Sequence, residues 1–130
     1  MDHLTYPIYN SSTFNQIERF ALIEWLSHIS TISSLLYQWK AKSRSGTEMT
    51  KDTEAAALQM LTNKLKEIDN RLKFSPFIAG SKVSFADILL SELLGQMQEI
   101  LAKLKEEKIV KNLVFVNRVL SYVDGLGLMA

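Results

Sequence analysis

Apolar residues recur at the spacing of an α-helix in four long segments of the chain, and helix-breaking residues are rare inside these segments. The two prolines are Pro7 and Pro76, and the five glycines are scattered. Long periodic segments with few breakers indicate helices. No Asn-Gly or Asp-Gly pair connects two alternating runs, as a short β-hairpin requires. The pattern therefore predicts an all-α fold, a bundle of helices.

The first predicted helix covers about residues 14–39, with Ser12 or Thr13 as its N-cap. One face carries apolar residues at helical spacing, and this face should point to the core. The residues of this face are Ala21, Leu22, Trp25, Ile29, Ile32, Leu36 and Trp39. The half-polar His28 lies beside them and is interpreted as a histidine at the edge of the core.

A second, weaker apolar group lies about opposite that face. Phe20 and Ile23 come first, and the small residues Ser27, Ser30 and Ser34 continue the same side of the helix. Large apolar residues followed by small ones would let another helix approach closely. The alternative is a solvated serine face with two ordinary exposed apolar side chains, which need no special explanation.

Three more helices are predicted after a polar loop over residues 40–50. They cover about residues 52–72, 84–104 and 113–123. The third helix is apolar over much of its circumference, so it should lie in the middle of the bundle. The charged residues 105–112 should form a connection, and Asp124 with Gly125 should end the last helix.

The most specific local signal is the start of the third helix. Ser84 as N-cap and Asp87 three residues later have the spacing of a capping box, in which each side chain bonds the backbone of the other. Two backbone N–H groups would then be satisfied at the helix end. A cap of this kind stabilises a helix by about 0.5–2 kcal/mol. Asp87 is therefore interpreted as a structural residue and not as a general base.

The composition narrows the chemistry that the chain can perform. Its 130 residues include no cysteine and two histidines, His3 and His28. Disulfides, thiolate metal sites and cysteine nucleophiles are excluded, and a histidine-based site has little material. We therefore expect no catalytic residues, no cofactor and no metal. No run of about 18 apolar residues is present, and the first residues lack the features of a signal peptide, so a cytoplasmic protein without a membrane contact is expected.

Net charge gives no general attraction to nucleic acid, because 15 basic residues balance 14 acidic ones to a formal +1. A local patch remains as a hypothesis. Lys40, Lys42 and Arg44 are close together in the predicted polar loop, and such a cluster can contact RNA phosphates weakly. An ordinary solvated loop explains the same three residues.

The segment 77–90, FIAGSKVSFADILL, resembles the signature of the glutathione transferase C-terminal helical domain. That signature is an apolar pair, a glycine, a short polar stretch and a Ser or Thr three residues before an Asp that opens the central helix. The preceding helix, ending LKEIDNRL, and the segment ALIEWL in the first helix fit the same arrangement. The resemblance covers residues 14–124, with 1–13 as an extended lead-in and 125–130 as a tail.

The resemblance implies a domain without glutathione chemistry. In the family, the glutathione site belongs to an N-terminal thioredoxin-like domain, and 13 residues precede the first predicted helix here. A βαβ unit does not fit in that length. The expectation is a helical bundle of the glutathione transferase C-terminal type without the thioredoxin-like half, and not an enzyme.

Stand-alone versions of this domain occur in multi-aminoacyl-tRNA-synthetase complexes, and the run FADILL with the later VNRVL looks like that branch. The resemblance implies a scaffold that assembles synthetases or elongation factor subunits through related domains. One interface would use the first two helices, with Phe20, Ile23 and Ser27 in contact with the partner. The other would use Arg118, although Val119 stands where relatives often have an aromatic residue. An exposed helix cation is the plain alternative for Arg118.

Three alternatives stay open at this stage. The isolated chain could form a homodimer through the same surfaces. It could be the C-terminal helical part of a glutathione transferase-like enzyme. It could also be a tRNA-binding appendage that uses Lys40, Lys42, Arg44 and Lys51, with tRNA otherwise an indirect partner.

Overall fold

A computed structural model describes residues 15–46 and 49–126 of the protein. Within these ranges the chain forms five helices and no strand, which confirms the predicted all-α fold. The helices are α1 (Gln16–Ser45), α2 (Lys51–Lys73), α3 (Phe85–Lys103), α4 (Lys108–Lys111) and α5 (Val114–Gly125). The predicted lead-in 1–13 and most of the predicted tail 125–130 lie outside the described residues.

Helix α1 begins later than predicted, and the prediction of Ser12 or Thr13 as N-cap is wrong. Asn15 is the N-cap: its Oδ1 accepts from the Glu18 N–H at 2.8 Å, while Glu18 Oε1 accepts from the Asn15 N–H at 3.0 Å. This capping box satisfies two backbone donors that have no partner inside the helix.

Helix α1 also ends later than predicted, at Ser45 instead of Trp39, so the predicted polar loop over 40–50 is wrong for its first half. Lys42 and Arg44 lie in the last turn, where cations interact favourably with the negative end of the helix dipole. Gly46 then adopts φ 70°, and its N–H donates to the carbonyl oxygens of Lys42 and Ser43. The glycine, and not the run of charge before it, ends the helix.

Helix α2 runs back along α1, since His28 of α1 meets Lys64 and Glu67 of α2. Its N-cap is Thr50, whose hydroxyl accepts from the Thr53 N–H at 3.2 Å. The buried face of α2 has the spacing that the sequence predicts. This face consists of Ala57, Leu61, Leu65, Ile68 and Leu72.

Helix α3 contacts both α1 and α5 and supplies the largest set of buried side chains of any helix described. These are Ala86, Asp87, Leu90, Leu93, Leu94, Met97 and Leu101. Their positions leave only a narrow side of the helix in contact with water, as the apolar circumference predicts. They form one core with the buried residues of α1, α2 and α5.

The charged segment 105–112 is not a plain connection. It contains the short helix α4, and Val110 of that helix is 1% exposed and belongs to the core. Lys105 has φ 59°, in the left-handed region, where the chain turns from α3 towards α4. Val110, together with the partly buried Ile109, thus fixes the segment to the bundle.

Candidate interaction surfaces

The N-terminal half of α1 carries three large apolar side chains on its outer side. Ile17, Phe20 and Ile23 are 79%, 63% and 67% exposed; we call them the α1 outer row. Phe20 and Ile23 were predicted from the sequence pattern, whereas Ile17 was not; it lies one turn before Phe20 on a neighbouring part of the same helix face. Three such side chains on two turns are a concentration of apolar surface that scattered exposed residues do not explain.

Small hydroxyl residues continue the α1 outer row towards the C-terminus. The Ser27 hydroxyl donates to the Glu24 carbonyl oxygen at 2.6 Å, and the Thr31 hydroxyl donates to the Ser27 carbonyl oxygen at 3.3 Å. These hydroxyls therefore satisfy their own donors within the helix. Ser27, Ser30 and Ser34 are all exposed, so this side of α1 presents small side chains on which a second helix could lie closely.

Arg118 lies at the junction of α5 and the C-terminal end of α2, away from the α1 outer row. Its Nη2 donates to the carbonyl oxygens of Leu72, Ser75 and Pro76 at 2.8, 3.0 and 3.2 Å. The guanidinium thus satisfies carbonyls at the end of a helix, where a cation also complements the dipole. Arg118 is exposed, as the plain alternative of an exposed helix cation has it, and its side chain also binds the carbonyls at the α2 terminus.

A second contact joins the same two helices through Asp69 of α2, a residue that was not predicted from the sequence. Its Oδ1 accepts from the backbone N–H groups of Phe115 and Val116, each at 2.9 Å. The N-cap of α5 is the apolar Leu113, which offers no side-chain oxygen. A carboxylate of α2 therefore caps α5, while an arginine of α5 caps α2.

Ser84 and Asp87 form the capping box of α3 deep inside the protein, both 0% exposed. Asp87 Oδ2 accepts from the Ser84 N–H at 2.8 Å and from the Ser84 hydroxyl at 3.2 Å. The other oxygen, Oδ1, accepts from the Ile78 N–H at 3.0 Å, a contact that the sequence did not predict. Burial raises the pKa of the Asp87 carboxyl, and the hydrogen bonds from Ser84 and Ile78 oppose that rise.

Lys40, Lys42 and Arg44, which were predicted to lie in a polar loop, lie on helix α1 instead. The helix does not direct all three side chains to the same side. Residues two apart on an α-helix do not face each other, so Lys42 points away from Lys40 and Arg44. Lys40 donates to Oε1 of Gln96 on α3. The three side chains therefore do not form one phosphate-binding face.

His28 lies half-buried between α1 and α2 and has three close neighbours. Its Nδ1 is 3.1 Å from Glu67 Oε2 and 3.2 Å from Lys64 Nζ, and its ring centroid is 4.6 Å from that of Trp25. The interpretation of His28 as a core-edge residue agrees with this position, but sequence spacing gave no sign of the two charged partners on α2.

No catalytic or metal-binding arrangement of side chains is evident in the part of the chain that the structure describes. No group of three or more His, Asp or Glu side chains there is placed to hold a metal ion. None of the described helices is both long and apolar enough to cross a membrane.

Comparison with protein families gives a match over most of the chain. The model of the glutathione S-transferase C-terminal domain matches residues 25–122, which is most of the chain. The chain belongs to this family. Searches among curated proteins and among solved structures found no match.

Membership agrees with the architecture. In this glutathione S-transferase C-terminal domain, the matched residues include α2, α3 and α4 whole and most of α1 and α5. The buried Ser84–Asp87 box lies inside the matched region, at the start of its central helix. The α1 outer row, in contrast, lies entirely before residue 25, outside the matched region.

Proposed function

We propose that this glutathione S-transferase C-terminal domain is a non-catalytic interaction module that docks with related domains of aminoacyl-tRNA synthetases or translation factors. The family match supports the domain type, and the synthetase setting rests on the resemblance of the central helix and of residues 116–120. The observation that carries the proposal is the exposed α1 outer row.

The α1 outer row has the anatomy of the centre of a helix–helix interface. Large apolar residues at its N-terminal end would supply the buried area, and Ser27, Ser30 and Ser34 would allow close approach of the partner backbone. A specific interface buries roughly 1,200–2,000 Å² in total, which requires α1 and a neighbouring helix together. A related domain, or a second copy of this chain, offers a matching pair of helices.

Arg118 is the second element of the proposal. Its guanidinium already bonds three backbone carbonyls, but the residue as a whole remains exposed. An arginine has five N–H donors, and the bonds to these carbonyls use Nη2. Its remaining donors can serve a partner carboxylate, so the internal and the intermolecular role are compatible.

The experiment is co-purification of the tagged chain with cytosolic proteins, compared between Ile23→Asp and the unchanged protein. We expect Ile23→Asp to lower recovery of the synthetase or factor at least tenfold, because a buried charge without a partner costs several kcal/mol at an interface. Recovery is measured by quantitative mass spectrometry.

Phe85→Asp is the matched control. Phe85 is also an exposed large apolar residue, 45% exposed, at the first position of α3. An acidic residue there is compatible with the helix dipole, so this variant should retain the partner. Equal recovery with Ile23→Asp and Phe85→Asp would contradict the assignment of the α1 outer row.

Family membership equally supports a second candidate, the helical part of a glutathione transferase-like enzyme. The two candidates predict different activity when a glutathione-binding half is supplied to the chain. A transferase part should restore turnover when a glutathione-binding thioredoxin-like half is added, whereas a docking module should not. Turnover in that mixture would favour the enzyme.

A further inference from the structure

A cluster of three polar side chains lies where α1 packs against α2. His28 Nδ1 is 3.2 Å from Lys64 Nζ and 3.1 Å from Glu67 Oε2, and Lys64 Nζ is 3.5 Å from Glu67 Oε2. The nitrogen Nδ1 holds at most one hydrogen, so it accepts a bond from Lys64 or donates a bond to Glu67, but not both at once. The position of one proton therefore decides which residue of α2 the imidazole bonds.

The packed helices hold the imidazole in place and leave the lysine accessible. The ring of Trp25, one turn earlier on α1, has its centroid 4.6 Å from that of His28, and Trp25 packs against the core. The side chain of His28 is 21% exposed and that of Lys64 is 28% exposed. A reagent from solution can therefore approach Lys64 while the base beside it stays in position.

The arrangement of these three groups is typical of an activated nucleophile. An amine that attacks a carbonyl carbon must lose a proton as the new bond forms, and a base within about 2.6–3.2 Å can take it. Lys64 Nζ and His28 Nδ1 meet this distance. Once Nδ1 has gained the proton, it can donate to Glu67, and the carboxylate then stabilises the imidazolium.

We propose that Lys64 is a modification site that reacts with acyl thioesters, with His28 as the general base and Glu67 as the stabilising carboxylate. Lys64 Nζ attacks the thioester carbonyl carbon, and His28 Nδ1 takes the proton from the amine nitrogen. The carbon–sulfur bond then breaks, and the leaving thiolate takes the proton from Nδ1. The products are an Nε-acyl-lysine and a free thiol.

The composition of the chain makes this route direct. The chain contains no cysteine, so an acyl group reaches a lysine without first forming a thioester on the same chain. Acylation removes the positive charge of Lys64 and with it the ion pair to Glu67. The junction between α1 and α2 thus loses one positive charge. The reaction requires no partner protein, so it is independent of the proposed docking.

The test incubates the unchanged chain with acetyl-coenzyme A in neutral buffer and follows acetylation of each lysine by peptide mass spectrometry. We expect Lys64 to react at least tenfold faster than Lys66. Lys66 is the matched control, because it is exposed on the same helix but points to another side of it, away from His28.

His28→Gln removes the base and should lower the rate at Lys64 at least tenfold, since general bases contribute roughly 10²–10⁴-fold. The rate at Lys66 should not change in this variant. An unfolded variant would instead show a rise at both lysines and a loss of far-ultraviolet circular dichroism.

Two results would overturn the proposal. One is a rate at Lys64 no higher than that at Lys66 in the unchanged chain, and the other is a rate at Lys64 that folded His28→Gln leaves unchanged. Neither result bears on partner recovery, so the docking proposal is tested separately.

Discussion

Asp87 and Asp69 both accept hydrogen bonds at the start of a helix, but they use their carboxylate oxygens differently. Asp87 uses both oxygens, Oδ1 for the Ile78 N–H and Oδ2 for the N–H and hydroxyl of Ser84. Asp69 uses Oδ1 alone for two backbone N–H groups. An asparagine keeps one acceptor oxygen and replaces the other with a donor. Replacement by asparagine therefore distinguishes the two sites.

We expect Asp87→Asn to lower the free energy of unfolding by about 1–3 kcal/mol, because its amide NH2 would face donors or leave a buried donor unpaired. Asp69→Asn should cost less than about 1 kcal/mol, since aspartate and asparagine cap helices almost equally well. Urea unfolding of both variants measures the difference. An equal loss in the two variants would contradict the two-oxygen role of Asp87.

The raised pKa of Asp87 makes the stability difference between the unchanged protein and Asp87→Asn depend on pH. The folded state binds the proton more tightly than the unfolded state, so the contribution of Asp87 to stability is greatest at low pH and falls as pH rises from its ordinary value of 3.8 through its raised value. Asp87→Asn lacks this loss. The gap in unfolding free energy between the unchanged protein and Asp87→Asn should therefore narrow as the pH rises above 3.8.

Helices α2 and α5 stabilise each other's ends. Asp69 of α2 supplies the acceptor that the apolar N-cap Leu113 cannot provide, and Arg118 of α5 bonds the carbonyls after α2. Each charge also has the sign that the nearby helix dipole favours. Arg71 adds two bonds from Nε and Nη2 to the Ile78 carbonyl oxygen, so the connection between α2 and α3 is held from α2, α3 and α5.

We expect Arg118→Ala to lower the free energy of unfolding by about 1–3 kcal/mol. The far-ultraviolet circular dichroism at 25 °C should stay unchanged. Three backbone carbonyls lose their donor, but the helices keep their apolar packing. Lys111→Ala removes an exposed cation of α4 and should cost no more than about 0.5 kcal/mol. Urea midpoints of the two variants give the comparison. An Arg118→Ala midpoint equal to that of Lys111→Ala would show that the carbonyl bonds contribute nothing.

For the whole molecule, the even charge balance argues against RNA as the main partner. The formal net charge is +1, Lys40 bonds Gln96, and Lys42 points away from Arg44 around α1. Few phosphates can be contacted at once by such an arrangement. The docking proposal therefore places specificity in an apolar surface, with charge as a secondary selector.

We expect any tRNA binding to depend weakly on salt, with a slope of log K against log salt no steeper than about −2. Lys42→Gln/Arg44→Gln should change that slope by less than one. Filter binding or fluorescence anisotropy at several salt concentrations measures it. A slope near −5 that collapses in the double variant would instead support the tRNA-binding appendage.

Features that depend on neighbours within a few residues could be predicted from the amino-acid sequence. Helical periodicity separated core positions from exposed ones in α1, α2 and α3, and the Ser84–Asp87 spacing marked the start of the central helix. The ends of α1 were harder to predict. Asn15 with Glu18 caps its start, and not Ser12 or Thr13, and the helix extends as far as its C-cap, Gly46. Each of these outcomes follows from hydrogen bonds within one helical turn.

Contacts between residues far apart along the chain depend on the packed fold. Asp69 and Arg118 each bond a backbone group 46 residues away, and His28 contacts Lys64 across 36 residues. Spacing along the chain contains no signal for such pairs, because they depend on how two helices are aligned after the core has packed. A cavity between the ends of α1 and α3 and the start of α2 has the same origin, since its walls come from separate parts of the sequence.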